Sequence, residues 1–392
     1  MSLNKMEYSL NLTDIRSEIL HDLEINENIK KITLEYLDSS IEHRLERYDE
    51  YREYFWERIN SGHWKNIPDY LRKCYSVVVL VHSYDNFSMN SIKSNQLIKD
   101  CLVKVDDALI MGKPLTKRYA QDFASYLHNL LNDEPLIEVE FPFIERKNFV
   151  LNKVFPDEKI IPLPRYDRPG LMTYLDLINK GEPFIIENSI NKAPYFKKWD
   201  LSFLSKTAGY RTIPVEIGKR YTDLEWSQRL LTLNTFIEEF MLDDRSDVGY
   251  LAQHQIFLQI PELFSDIIVP DYCLNNADIN IWLGPKNTIS PLHHDSDKHN
   301  LLTQIRGCKY VKLYTEKETG NLYPYEDRLL CNTSQVDVTK PDFKNFPKFA
   351  DAYGFHGFLF PGDVLYIPPL TWHYVQSESM SLSINFWWKN DE

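Results

Sequence analysis

The sequence predicts an α+β protein, an all-helical N-terminal domain followed by a β sandwich or barrel with a few helices on its outside. Three observations predict it. Between Leu12 and Asp133, apolar residues recur at three- and four-residue spacing, the period of a helix face. From Phe184 to Trp387, short β-prone runs follow one another with turn signals between them. Between these regions lie Pro135, Pro142, Pro156, Pro162 and Pro164, each fixing φ and removing a backbone donor. The expected division is a helical domain over 1–134, an irregular connector over 135–168 and a β-rich domain over 169–392. A chain of 392 residues is long enough for two cores.

In the first part, helix faces are expected through Ile15, Ile19, Leu20 and Leu23, then Ile32, Leu34, Leu37 and Ile41, and later Tyr119, Phe123, Leu127 and Leu131. Asn66-Ile67-Pro68 and Lys113-Pro114 break helices. The mixed run His43 to Arg58 reads as a solvated helix with one packed face. His21, His43, His63, His82 and His128 are scattered and are assigned ordinary surface or core roles. In the second part, helices are expected near Leu171 to Ile178 and Asp200 to Ala208. Strands are expected at Phe184–Ile186, Thr212–Ile217, Gly249–Ala252, Asn280–Leu283, Leu301–Ile305, Lys309–Tyr314, Asp363–Ile367 and Leu382–Trp387.

Composition narrows the function classes. A 43% hydrophobic fraction with 24 tyrosines, 21 phenylalanines and only 13 glycines excludes a disordered or low-complexity chain. The net charge of −13 argues against direct nucleic-acid binding, which needs clustered Lys and Arg, and leaves basic protein partners open. Five cysteines without CxxC spacing suggest neither a disulfide framework nor a zinc finger. The longest apolar run, Val77 to Val81, is too short to span a bilayer. The expectation is a soluble intracellular protein, nuclear or cytoplasmic.

Chemistry concentrates between Trp282 and Trp388. The run SPLHHD holds His293 and Asp295, and PPLTWHYV holds His373. On a strand, residues two apart share a face, so His293 and Asp295 can grip one ion while His294 points the other way. With His373 they form a facial triad. Two imidazoles and one carboxylate suit Fe(II) and leave positions open for a co-substrate and O2, the ligand set of an oxygenase. Each residue alone has an ordinary alternative: a satisfied core histidine at His373, a solvent-facing strand lysine at Lys309.

The runs DVGYLAQHQIF, PDYC, INIWLGP, TISPLHHD, NTSQVDV, IPPLTWHYV and the ending FWW, spread between Asp247 and Trp388, resemble those of a Jumonji C (JmjC) oxygenase domain. That family has a double-stranded β-helix of the cupin class. The resemblance extends from about Pro162 to the C-terminus, and the helical half is similar in layout. It implies His293, Asp295 and His373 as Fe(II) ligands, 2-oxoglutarate as co-substrate and O2 as oxidant. Lys309 would receive the far carboxylate of 2-oxoglutarate, with Tyr250, Asn300 and Ser290 as hydrogen-bonding neighbours and Trp387 packed beside the metal. Glu216 and Trp282 would line a pocket for an arginine side chain, with Tyr221 and Gln253 completing its wall. The implied activity is hydroxylation of an arginyl residue at C3. Its partners would be proteins or peptides bearing arginine, in the basic class of histones, ribosomal proteins or chromatin-associated proteins. The alternatives are a histone lysine demethylase, an arginine-directed endopeptidase of histone tails and a cupin binding module without turnover.

Overall fold

The computed structural model describes residues 8–62, 66–131, 137–142, 144, 146, 159–223, 225–243 and 247–389. Part of the expected connector, including 147–158, and His63 lie outside them. The described residues fall into two compact units. One holds the N-terminal helices together with Ala208–Ile213 and Gln259–Pro261; the other holds Ile137–Thr207, Pro214–Leu258 and the chain from Glu262 onward.

The helical unit contains α1 (Leu12–His21), α2 (Glu27–Asp38), α3 (Ile41–Glu46), α4 (Tyr48–Ile59), α5 (Asp69–Met89), α6 (Asn95–Met111) and α7 (Tyr119–Leu130). Polar side chains begin several of them: Asn11, Asn26, Ser40 and Ser94 each accept a backbone N–H of the first turn. Helix α5 is apolar all round from Val77 to Val81 and is buried on every side, in contact with α1, α2, α3, α4 and α6. The His43 to Arg58 run, expected as one helix, is divided at Arg47 between α3 and α4, and α4 packs one face through Tyr48, Tyr51 and Phe55. Ile15 and Ile19 are buried as expected. Leu20 and Leu23 are exposed, because α1 stops at His21 and Leu20 falls on its outer face. Asp106 on α6 is fully buried and accepts from Arg211 Nε and Nη2, the backbone N–H of Thr212 and Gln259 Nε2. No described helix is long and apolar enough to cross a membrane.

The second unit is β-rich. Its strands are β1 (Ile160–Pro162), β2 (Arg165–Asp167), β3 (Phe184–Glu187), β4 (Thr212–Ile217, whose first two residues group with the helices), β5 (Ser227–Thr232), β6 (Gly249–His254) and β7 (Asp278–Gly284). They continue with β8 (Ile289–His293), β9 (His299–Arg306), β10 (Lys309–Tyr314), β11 (Gly354–Leu359), β12 (Val364–Ile367), β13 (Trp372–Ser377) and β14 (Ser381–Trp388). A five-stranded sheet runs β1-β11-β10-β13-β8 and a nine-stranded one β2-β3-β12-β9-β14-β7-β6-β4-β5. Leu302, Leu365 and Ile367 of the larger sheet pack against Val311, Leu313 and Val375 of the smaller, so the sheets enclose one core. They stay two open sheets, not the closed barrel among the expectations. The expected strands are present, five of them one to three residues longer than anticipated, two as anticipated and the one ending at Ile367 a residue shorter. Helices at Leu171–Ile178 and Leu201–Ala208 match the expected positions.

Two strands occupy the stretch expected to be irregular. β1 pairs in parallel with β11, and β2 with β3. Both are edge strands, and an edge strand tolerates proline because one side of its backbone needs no donor; Pro162 ends β1 and Pro164 separates the two. β5 is also unexpected. It is an outer strand with little burial, so its sequence carries no alternation of apolar and polar residues.

Candidate metal centre and adjoining cleft

Strands β8 and β13 pair antiparallel with His293 opposite His373, and the register shifts by one residue before Val375 meets Ser290. Such a bulge matters here. Ser290 and His293 are three apart and would face opposite sides of a regular strand, yet both border the space between the sheets. Asp295 was expected on the same strand as His293. Instead β8 ends at His293, and Asp295 lies in the segment that follows it. Its carboxylate still turns inward, with Oδ1 3.6 Å from His293 Nε2 and Oδ2 3.5 Å from His373 Nε2. All three ligand atoms lie within 4.8 Å of one another. His294 points away and meets Trp372 edge-on at 4.8 Å. Two non-glycine residues at positive φ, Ser296 and Leu370 (both 57°), flank the centre, and Leu370 N–H donates to the Ser296 carbonyl at 2.7 Å.

Both imidazoles are held in one tautomer. His293 Nδ1 lies 2.7 Å from the Pro291 carbonyl and His373 Nδ1 3.0 Å from the Thr371 carbonyl. A carbonyl can only accept, so each Nδ1 carries the proton and each Nε2 presents a lone pair toward Asp295. Burial and the neighbouring His373 push His293 down to about 4, which keeps its ring neutral. Burial alone would raise Asp295. The adjacent His373 and His293 and a 2.9 Å hydrogen bond from Asn300 Nδ2 outweigh it and hold the carboxyl below the usual range. Two imidazoles and a carboxylate, converging at this spacing, fit a divalent metal, and the donor set fits Fe(II).

Lys309 opens β10. Alternation along the strand sets Lys309, Val311 and Leu313 toward the core between the sheets and Tyr310 and Tyr314 outward. A one-residue slip would reverse this, and Gly307 guards against it: its φ is +75°, and a Cβ there would collide with the Met380 carbonyl. The Lys309 ammonium is 1% exposed, hydrogen-bonds Tyr250 Oη at 3.3 Å and lies 6.0 Å from the Trp282 ring centre. No carboxylate pairs with it among the described residues. Burial pushes it down to about 7, because no neighbouring charge offsets the cost of desolvating the ammonium.

Every residue singled out in the sequence borders one of two adjoining spaces. The inner one is lined by Tyr250, Trp282, Ser290, His293, Asp295, Asn300, Lys309, His373 and Trp387. The outer one, a cleft of about 650 Å³, shares several of these and adds Glu216, Tyr221 and Gln253. Glu216 stands opposite Tyr250 in the β4–β6 pairing and, among the described residues, accepts a hydrogen bond from Trp226 Nε1 alone, at 3.4 Å. No cation pairs with it among the described residues, and burial raises its carboxyl above the ordinary value. Tyr221 Oη lies 3.1 Å from Thr333 Oγ1, and its ring stands edge-on to His293. Gln253 sits at φ 48°, and Lys298 lies 4.7 Å above the Trp387 ring.

Trp226, Thr333 and Asn385 are among the residues of this region that escaped the sequence reading. Trp226 and Thr333 reach the cleft from segments with no local signature. Asn385 is fully buried on β14 and carried a usable signal: an amide in an otherwise apolar run, Ile384 to Trp388.

A model of the Cupin-like domain matches residues 172–392. The chain is similar to lysine-specific demethylase 8 of Danio rerio, 38% identical over 359 residues that cover 86% of this chain and 85% of that protein. It is 35% identical to lysine-specific demethylase 8 of Xenopus tropicalis, covering 86% of each chain. Jumonji C domain-containing protein 5 of Drosophila melanogaster is 35% identical, covering 85% of this chain and 84% of that one. The likeness runs through the helical half as well as the sheets, and the chain belongs to the Jumonji C family of cupin-like 2-oxoglutarate oxygenases.

Proposed function

We propose that the chain is an Fe(II)- and 2-oxoglutarate-dependent hydroxylase of arginyl residues, acting at C3 of the side chain in a protein or peptide. The observation that carries the arginine assignment is Glu216, a carboxylate set into the cleft wall with an indole as its partner and no cation beside it among the described residues. An ionised carboxylate in that setting is costly until a cation reaches it. A guanidinium can take it bidentately while stacking on an aromatic plane, and Trp282 borders the same cleft.

His293, Asp295 and His373 would hold the metal, each imidazole through Nε2. When bound, Fe(II) supplies the activation of O2, coupled to conversion of 2-oxoglutarate to succinate and CO2, with the second oxygen atom going to the substrate C–H. Lys309 and Tyr250 would receive the far carboxylate by charge-assisted hydrogen bonds. Asn300 and Ser290 border the same space as further polar contacts, and Trp387 closes it beside Asp295. Tyr221 and Gln253 would wall the substrate side chain. Neither a nucleophile nor a general base is required of the protein. Its contribution is positioning.

The names of the relatives favour a second reading, demethylation of lysine. Glu216 would attract an ammonium too, but a methylated ammonium offers no planar fork for a carboxylate to read. Intact-mass analysis of arginine, lysine and methyl-lysine versions of one peptide, after incubation with Fe(II) and 2-oxoglutarate, separates the readings. Gain of one oxygen on the arginine peptide is expected. Loss of a methyl group from the methyl-lysine peptide alone would replace the proposal with the demethylase, and a shortened peptide would replace it with an endopeptidase.

A further inference from the structure

A line of hydrogen bonds joins the wall of the cleft to the candidate metal centre. Trp282 Nε1 donates to Asn385 Oδ1 at 2.8 Å, Asn385 Nδ2 to Asn300 Oδ1 at 3.2 Å, and Asn300 Nδ2 to Asp295 Oδ2 at 2.9 Å. Its direction is set at both ends. An indole N–H can only donate and an ionised carboxylate can only accept, so neither asparagine can flip its amide without facing donor to donor or acceptor to acceptor. Asn385 is fully buried and Asn300 nearly so, at 5% exposure, so water is poorly placed to replace a lost partner. The backbone registers Asn385 with Leu302 and Trp387 with Asn300 across β14 and β9, which brings both amides to the inner face.

We propose that Asn385 is a positioning residue: it takes its orientation from the Trp282 indole and passes it through Asn300 to the Asp295 carboxylate. Asp295 follows the end of β8, so it lacks a place in the strand ladder to fix it, and the Asn300 amide supplies a restraint on its rotation. The same arrangement makes the metal ligand sensitive to what happens at Trp282, the aromatic wall of the cleft. The inference rests on the reading of His293, Asp295 and His373 as metal ligands, and it is independent of which substrate is hydroxylated.

The test uses Mn(II) and the full chain, with the free ion counted by electron paramagnetic resonance and no substrate present. Trp282→Phe keeps an aromatic ring and removes the N–H. It is expected to weaken Mn(II) binding by roughly tenfold, the lower end of what loss of an outer partner costs a metal site. Asn385→Asp keeps the acceptor for Trp282 and loses the donor for Asn300, and it should weaken binding at least as much. In an Asn300→Ala background, Trp282→Phe should cost nothing further, which a mere packing role would not produce. An unchanged Mn(II) dissociation constant in Trp282→Phe, or an effect that persists undiminished beside Asn300→Ala, would overturn the relay. Should Asn385→Asp fail to fold, the Trp282 and Asn300 variants decide the matter alone. A parent protein that does not bind Mn(II) would overturn the ligand reading instead, so the two failures are distinct.

Discussion

His293 and His373 face each other across the β8–β13 pairing, their ring centres 4.4 Å apart, and each Nδ1 is anchored to the carbonyl two residues before it. The candidate ligand set is therefore built into strand register on two sides, while the third ligand, Asp295, is held by side-chain contacts. This asymmetry separates what metal loss does to binding from what it does to the fold.

His293→Ala and Asp295→Ala are expected to abolish stoichiometric iron binding and turnover while leaving the unfolding midpoint of the ligand-free protein within a few degrees of the parent. Iron content and a thermal melt measure the two parts. Unchanged metal stoichiometry with succinate still produced in both variants would refute the triad.

Lys309→Ala should raise the 2-oxoglutarate requirement strongly, because the variant loses the charge-assisted partner proposed for the far carboxylate. Mn(II) affinity should change little, since Lys309 contacts Tyr250 and no metal ligand. Calorimetric titration of 2-oxoglutarate into the Mn(II)-loaded protein makes the comparison, and a variant that matches the parent would show that the anion is held elsewhere.

The same lysine gives a pH dependence. Its folded value, about 7, lies below the ordinary lysine value of 10.5, so between them the unfolded chain binds more protons than the folded one. Stability of the ligand-free protein therefore rises with pH across that window. Binding of a dianionic co-substrate needs the charged ammonium, so its affinity should fall as pH rises above about 7, approaching tenfold per pH unit. A dissociation constant that stays flat from pH 6 to 9, about the range spanned by that titration, would contradict the assignment.

Legibility of the sequence followed how local the signal was. Strand β10 was placed to the residue because Lys309 to Tyr314 sits between a turn glycine and a long excursion, and its alternation carries the face on which Lys309 lies. His-x-Asp with a distant histidine was readable because ligand chemistry restricts the residue types. The β8 bulge was not, since a one-residue register shift is decided by pairing with β13. Strands β1 and β2 hid behind Pro162 and Pro164, whose meaning depends on whether a strand lies at an edge. Thr333 and Trp226 reach the cleft only through tertiary placement, the former by an isolated bridge to His293.

In the helical unit, Asp106→Ala should destabilise by about 3 to 5 kcal/mol, because it strands the guanidinium of Arg211 in the interior. Arg211 is 1% exposed, and Asp106 also satisfies Thr212 N–H and Gln259 Nε2, so several donors lose their acceptor together. Urea unfolding measured by circular dichroism at a helix-sensitive wavelength reports the loss. A change below about 1 kcal/mol would mean that water or a neighbouring carbonyl takes over those donors.

Glu216→Ala is expected to lose turnover of the arginine peptide while keeping iron and 2-oxoglutarate binding, because Glu216 borders the cleft and touches neither the ligands nor Lys309. Removing one member of a desolvated charge pair costs about 2 to 5 kcal/mol of binding, enough to show as a large rise in KM. Glu216→Gln should fare nearly as badly, since the amide keeps the shape and loses the charge. Burial raises the Glu216 carboxyl, so arginine-peptide affinity in the parent should begin to fall, as pH is lowered, before an ordinary carboxylate would titrate, and this dependence should vanish in Glu216→Gln. Replacing the target arginine by lysine should weaken binding too, because an ammonium cannot present two parallel N–H donors to one carboxylate. Parallel assays on arginine, lysine and methyl-lysine versions of one peptide decide the point: preferential demethylation of the methyl-lysine version, with Glu216→Ala without effect, would take arginine out of the reaction.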